Sequence, residues 1–276
     1  MEIPFVKMSG SGNDFIIIDN REGLVREDPA DLARRLCARR TGVGADGLAL
    51  LENDPEVDFA WRFHNSDGSE AEMCGNASRC AARLAVEWGM APEELSFRTK
   101  AGVIKARVMG RRVRVELTTP CDLKPKMVLA VDDRILEAGY VNTGVPHVVI
   151  FVDDLEAVDP GETGPVIRYH QKFAPLGTNV NFVEVRGSGS LAVRTYERGV
   201  EAETLACGTG VSAAALVSSL WGFSEPPVEV QVRSGELLVI DFTPNQEAKD
   251  PWPGPVFFEG VTTKVYSGIL SPEVLT

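Results

Sequence analysis

Two rhythms of apolar and polar residues alternate along the chain. Short apolar runs and period-two stretches predict strands: Phe15–Asp19, Leu48–Leu51, Phe59–Phe63, Leu95–Thr99, Val103–Val108 and Val113–Leu117. Asp28 before Pro29 reads as an N-cap with proline in the first turn, opening a helix through Leu36 to about Arg39. Cys74–Glu87 predicts a second helix, with Ala81, Ala82, Leu84 and Ala85 as its apolar positions. Thr118-Thr119-Pro120 breaks the pattern and predicts a domain boundary. The same kinds of element then return: strands over Tyr140–Asn142, His147–Val152, Asn181–Val185, Leu191–Tyr196, Val228–Val232 and Leu237–Phe242, and a helix over Gly208–Leu220. The proline-rich tract Pro244–Pro255 predicts a loop.

The return is close enough to be a repeat. Arg62–Ala77 and Arg194–Gly210 each run from a strand through a polar loop to a cysteine, with a Glu four residues before it and a Gly after it. An Ala-rich helix follows in both. A second match pairs Ser11-Gly12-Asn13-Asp14-Phe15 with Gly177-Thr178-Asn179-Val180-Asn181-Phe182. The period far exceeds that of a solenoid, so the expectation is two related domains with their loops facing across a cleft.

Length agrees, since 276 residues at ~150 per domain suggest about two domains. A hydrophobic share of 44% with 25% charged residues excludes a disordered or collagenous chain. The charge balance is 28 − 40 = −12, which argues against nucleic-acid and anionic-membrane partners. A local positive pocket for a small anion remains compatible with it. Met1–Lys7 has no basic start followed by an apolar stretch, so no secretory signal is expected. The uncharged run Leu205–Ser224 carries three glycines and several Ser and Thr, too polar for a good membrane span, and reads as a loop and a buried helix. Five cysteines, at 37, 74, 80, 121 and 207, form neither a disulfide framework nor a usual zinc spacing, and the three histidines (64, 147, 170) are scattered. A reduced, cytoplasmic setting and no metal site are expected.

Cys74 and Cys207 stand apart because each sits where a polar loop becomes a helix. Unsatisfied N–H groups and the positive end of the helix dipole gather there and favour a thiolate. Gly75 and Gly208 let an anion approach the backbone. Cys37 and Cys80 read as core residues, and Cys121 carries no functional pattern. Two opposed sulfurs suit a two-base proton transfer, in which a thiolate removes a proton from one face of a carbon and a thiol returns one to the other. The α-hydrogen of an amino acid is a far weaker acid than a thiol. The site must therefore stabilise the developing carbanion, and N–H donors converging on the α-carboxylate would do so.

With these residues in place, the chain resembles the diaminopimelate epimerase family, pyridoxal-phosphate-independent amino-acid epimerases of the lysine and peptidoglycan pathway. The resemblance runs through Lys7–Phe15, Gly42–Gly47, Asn65–Ser69, Cys74-Gly75-Asn76, Arg79-Cys80, Gly144–His147, Gly177–Phe182, Glu197-Arg198-Gly199 and Ala206–Gly210. It implies an α/β (α+β) fold of two pseudo-symmetric domains, each a mostly antiparallel sheet wrapped around a central helix, with the active site in the cleft between them. The last strand would return to the first domain, giving domains of 1–117 plus 263–276 and of 118–262. It further implies Cys74 and Cys207 as the acid/base pair. Gly75, Asn76, Gly208 and Thr209 would cradle the reacting carboxylate, and Asn13, Asn65, Asn179, Glu197 and Arg198 would contact substrate. His147, beside the amine and the thiols, is implied as polar support; a purely structural role is the alternative. No cofactor is implied, the partner is a small amino-acid substrate, and homodimers are common in the family.

Several positions depart from the family pattern. Gly47 stands where many members carry Gln, Val145 where many carry a substrate-contacting Asn, and Ala77 where Gly is frequent. The Glu197–Cys207 loop is one residue longer than in some members. Val145 and Gly47 leave open a related racemase of another amino acid. A protein that only binds an amino acid, or uses the cysteine pair as a redox switch, is the non-enzymatic alternative.

Overall fold

The structure is a computed structural model and describes residues 2–131, 134–243 and 255–275. The expected Pro244–Pro255 loop lies outside these residues except for Pro255. In chain order the elements are β1 (Pro4–Gly10), β2 (Asn13–Asp19), α1 (Pro29–Cys37), β3 (Gly47–Glu52), β4 (Phe59–Asn65), α2 (Gly75–Glu87), β5 (Glu94–Thr99), β6 (Gly102–Met109), β7 (Arg112–Glu116) and β8 (Cys121–Val131). They continue with β9 (Arg134–Asn142), β10 (Pro146–Phe151), α3 (Pro160–Arg168), β11 (Asn179–Gly187), β12 (Ser190–Glu197), β13 (Ala202–Thr204), α4 (Gly208–Leu220), β14 (Val228–Gln231), β15 (Leu237–Asp241) and β16 (Phe257–Ile269).

These elements form two compact units, Met1–Glu116 with Gly260–Thr276, and Leu117–Glu259. In the first unit the strands run β1-β2-β3-β4-β5-β6-β7-β16, and β16 also pairs β1 from Pro4↔Ile269 to Gly10↔Thr262, so the sheet closes on itself. The β2–β3 and β4–β5 pairs are parallel and the other registered pairs antiparallel. Helix α2 contacts β1, β2, β3, β6 and β7. It is buried from Asn76 to Ala82 and again at Leu84 and Ala85, which suits the small residues it carries on every side.

The second unit repeats this topology. Its order is β16-β15-β14-β12-β11-β10-β9-β8, with β13 on the side of β12 and with β10–β11 and β12–β14 parallel. Helix α4, buried from Gly210 to Ser218, touches β9, β10, β11, β12, β14 and β15. β9, β10, β11, β12, β14 and β15 thus correspond to β1–β6, and α3 and α4 to α1 and α2. The cysteine-containing segments occupy equivalent places, before α2 and before α4. The second sequence match does not: Asn13–Phe15 begins β2, whereas Asn179–Phe182 begins β11, the counterpart of β3. A Gly/Asn turn feeding an apolar strand is common turn chemistry, and that is what the two segments share.

Outside the sheets, α1 lays Leu32, Ala33, Leu36 and Cys37 on Ile16, Ile18, Leu48 and Leu50. Each fully buried Leu contributes roughly 1.5–3 kcal/mol. Asp28 caps α1, accepting from the Ala30 N–H at 3.0 Å. The helix ends at Cys37, short of the expected Arg39. Ala38 turns extended, and the N–H groups of Gly44 and Ala45 take the last carbonyls of Leu36 and Cys37 at 2.9 and 3.1 Å. β7 stops at Glu116, because the Leu117 N–H bonds the Val256 carbonyl at 2.8 Å in the second unit. The uncharged run Leu205–Ser224 is loop and α4. Among the described residues no helix is long and apolar enough to cross a membrane.

Candidate active site

Each of the two helices buried within a sheet begins on a cysteine. Cys74 is the N-cap of α2 and Cys207 the N-cap of α4, both with extended backbone and neither side chain capping its helix. The first N–H groups of Gly75-Asn76 and Gly208-Thr209 follow directly. Cys74 is half-buried and Cys207 buried. No disulfide involves any of the five cysteines, all of which are described. Cys37 and Cys80 are buried in the first unit, and burial pushes the Cys37 thiol up to about 12, inert at neutral pH.

In the first unit a polar chain aims Asn76 and Asn13. Asn76 Nδ2 donates to Asn13 Oδ1 at 2.7 Å, and Asn13 Nδ2 donates to Asp46 Oδ2 at 2.9 Å. Buried Arg79 donates from Nη2 to Asn76 Oδ1 at 2.9 Å and to Ser11 Oγ at 2.5 Å. These partners fix both amide orientations. Asp46 is held in turn by Arg39 at 2.7 Å, and Arg39 also grips Asp14 at 3.0 and 2.9 Å. Burial opposes ionisation of Asp14, but Arg39 and Lys7 outweigh it and hold its carboxyl below the usual range. Asn65 ends β4 on an exposed turn, its Nδ2 donating to Ser69 Oγ at 3.0 Å.

In the second unit the polar residues cluster around α4. His147 Nε2 lies 2.9 Å from Thr209 Oγ1, which lies 3.4 Å from Cys207 Sγ. Asn181 Nδ2 donates to the Val148 carbonyl at 2.9 Å and lies 3.1 Å from His147 Nδ1. Asn179 donates to the Pro146 carbonyl at 3.1 Å and accepts the Arg198 N–H at 2.7 Å, tying β10 to the end of β12. Glu197, the last residue of β12, is half-buried beside it. Burial, aided by the charge of Arg198, pushes His147 down to about 3, so the ring is neutral in the fold.

That shift has a measurable consequence. The unfolded His147 takes up a proton near pH 6.5, whereas the folded one does so only near 3. The unfolded state therefore binds more protons in that window, and stability falls as pH drops through it. Between pH 7 and 5 the wild type is expected to lose about 2 kcal/mol more than His147→Asn, read from urea midpoints at the two pH values. Equal losses in both proteins would contradict a buried neutral ring.

The two departures from the family pattern take different forms. A Cβ at Gly47 would stand 2.6 Å from the Phe63 ring and 2.9 Å from the His64 carbonyl, so a glutamine does not fit here unless both the Phe63 ring and the β4 backbone shift. Phe63 is itself stacked on Trp61. Val145 is half-buried, its carbonyl accepting the Thr143 N–H at 3.2 Å. Sequence reasoning missed Asp46, Arg79, Thr143 and Asn181 as members of these clusters. Asn181 was within reach, because it follows Asn179 by two in β11 and so shares its face.

Against known proteins, the diaminopimelate epimerase family model matches residues 5–120 and 139–250. A diaminopimelate epimerase of Aquifex aeolicus is 50% identical over 98% of this chain and 99% of its own. The chain belongs to the diaminopimelate epimerase family. It is accordingly an isomerase of the epimerase class, acting on a small molecule. A second family relative, from a Hydrogenobaculum species, is 47% identical over 97% of this chain and 98% of its own. Among solved structures, a PhzF-family phenazine biosynthesis protein of Bacillus anthracis aligns with TM-score 0.74 at 15% identity, over 98% of this chain and 99% of the other. A probable proline racemase of Agrobacterium radiobacter aligns at 0.72 and 14%, over 98% of this chain and 93% of the other. Those two likenesses are of fold.

Proposed function

We propose that the chain interconverts LL- and meso-2,6-diaminopimelate by two-base proton transfer at the α-carbon, with Cys74 and Cys207 as the thiol pair, supplying lysine and peptidoglycan precursors. The observation that carries this reading is the twice-occurring cysteine N-cap, in a chain half identical to a relative of that name. One sulfur, as thiolate, takes the α-proton. The electron pair left on carbon spreads into the carboxylate, whose oxygens would accept the N–H groups of Gly75, Asn76, Gly208 and Thr209. The other sulfur, as thiol, delivers its proton to the opposite face, and the carbon inverts. The thiolate and thiol have then exchanged roles, ready for the reverse reaction.

Asn13 and Asn76 supply directed amide N–H groups, Arg198 a guanidinium for a carboxylate, and Glu197 a carboxylate for an ammonium. Asn65 and Asn179 complete the proposed contacts, Asn179 by holding Arg198 in place. Both thiols must stay reduced for this chemistry, which suits the cytoplasm. The test is turnover by reduced protein, followed by separation of the isomers. Formation of meso-diaminopimelate from the LL isomer supports the reading. Negligible turnover beside strong turnover of another amino acid would favour the racemase that Val145 and Gly47 leave open.

A further inference from the structure

The polar cluster at the start of α4 has a direction that its donors and acceptors fix. A carbonyl oxygen only accepts, so the Asn181 atom 2.9 Å from the Val148 carbonyl must be Nδ2. Asn181 Oδ1 then faces Thr195 Oγ1, which donates to it at 3.0 Å. The second Nδ2 hydrogen points at His147 Nδ1, 3.1 Å away, which therefore carries no proton. In a neutral imidazole the proton then lies on Nε2. Nε2–H donates to Thr209 Oγ1 at 2.9 Å, and the Thr209 hydroxyl turns its own hydrogen elsewhere. Cys207 Sγ stands 3.4 Å from it. The Thr209 carbonyl is meanwhile held by Thr143 Oγ1 at 2.9 Å, which keeps the first turn in place. Room for the Asn181 amide depends on glycine at 210, where a Cβ would lie 2.4 Å from Oδ1.

We propose that Asn181 is a positioning residue for the reaction: by fixing the tautomer of His147 it aims the Thr209 hydroxyl at Cys207 and so supports that sulfur as a thiolate. The role of Cys207 as acid and base rests on the function proposed above. His147 does not take the thiol's proton in this arrangement. It stays neutral and acts through Thr209, and a donor held on a sulfur favours the charged form of that sulfur. The charged side chains of the adjoining β12–β13 segment are Arg198, Glu197, Glu201, which is bound to Arg168 at 3.1 Å, and the mutually paired Arg194 and Glu203. None of them changes in the test.

The test follows the pH titration of the Cys207 13Cβ resonance in the full, reduced chain, assigned by its loss in Cys207→Ser. Thr209→Val removes the hydroxyl at nearly constant shape, and Asn181→Asp puts an acceptor against Nδ1, which moves the proton off Nε2. Each is expected to raise the Cys207 thiol pKa by about one unit, and Thr209→Ser to titrate like the wild type. In 15N-histidine spectra of the wild type, the resonance lost in His147→Asn should be that of the Nε2–H tautomer. A proton on Nδ1, or an unchanged Cys207 titration in folded Thr209→Val, would overturn the proposal. Should Asn181→Asp fail to fold, the wild-type tautomer and the Thr209 pair still decide it. These readouts need no turnover, so a protein inactive on diaminopimelate would refute the function while leaving the relay to stand or fall alone.

Discussion

Cys74→Ser and Cys207→Ser are each expected to lower epimerisation by at least about 10³-fold, in both directions, with little change in stability. A serine hydroxyl keeps nearly the same shape but ionises far above the range a protein reaches at neutral pH. It can neither take the α-proton as an anion nor rest as the conjugate partner. The proposed inversion uses a base on one face and an acid on the other, so losing either sulfur should stop the cycle whichever isomer is supplied. On the proposed mechanism the two groups act as a unit, so the double variant should be hardly slower than either single one. Rates within tenfold of the wild type in either variant would show that the substituted cysteine is not one of the acid/base pair.

Arg79→Met is expected to cost about 3 kcal/mol of stability and to lower activity beyond what the unfolded fraction explains. Arg79 is fully buried on α2, with Nη2 bonded to Ser11 and Asn76 and Nη1 donating to the Val261 carbonyl at 3.3 Å. Methionine fills much of the volume and makes none of these bonds, leaving buried acceptors without their donor at roughly 1–3 kcal/mol each. Asn76 then loses the partner that fixes its amide, and Asn13 beyond it loses its donor. Urea midpoints read the first effect and kcat/KM on the folded fraction reads the second. Unchanged kcat/KM would mean that the Arg79–Asn76–Asn13 chain serves stability alone.

How far the chain could be read in advance followed physical lines. Strands with a clean inside and outside announced themselves, as at Leu95–Thr99, whose buried and half-buried residues alternate. So did α4, whose Ala-rich run is buried on every side. β8 escaped because it is exposed along most of its length and contains Pro125, and β16, expected only through the family resemblance, escaped the pattern because its outer half carries seven consecutive exposed or half-exposed residues at 263–269. β1 was hidden by Lys7, a charged residue in an apolar run that is buried by pairing with Asp14 at 2.9 Å. α3 contains Gly161, Gly164 and Pro165, poor helix formers, and is held instead by the Asp159 cap and by Gly164 lying against the Tyr196 ring. The cysteines at the helix starts were legible because the local setting occurs twice. The polar contacts around Cys207 were not, because His147 and Asn181 come from strands distant in sequence that the sheet brings beside Thr209 at the start of α4.

The decisive measurement is the fate of the α-hydrogen in deuterium oxide at low conversion. Incubated with LL-diaminopimelate, the reduced enzyme should form meso product with one deuterium at the inverted carbon, while recovered substrate is still unlabelled. The entering hydrogen comes from one sulfur, equilibrated with solvent, and the departing one stays on the other. Meso product that retains the original hydrogen, or early labelling of the substrate at the same rate as the product, would point to a single base and contradict the paired-thiol mechanism.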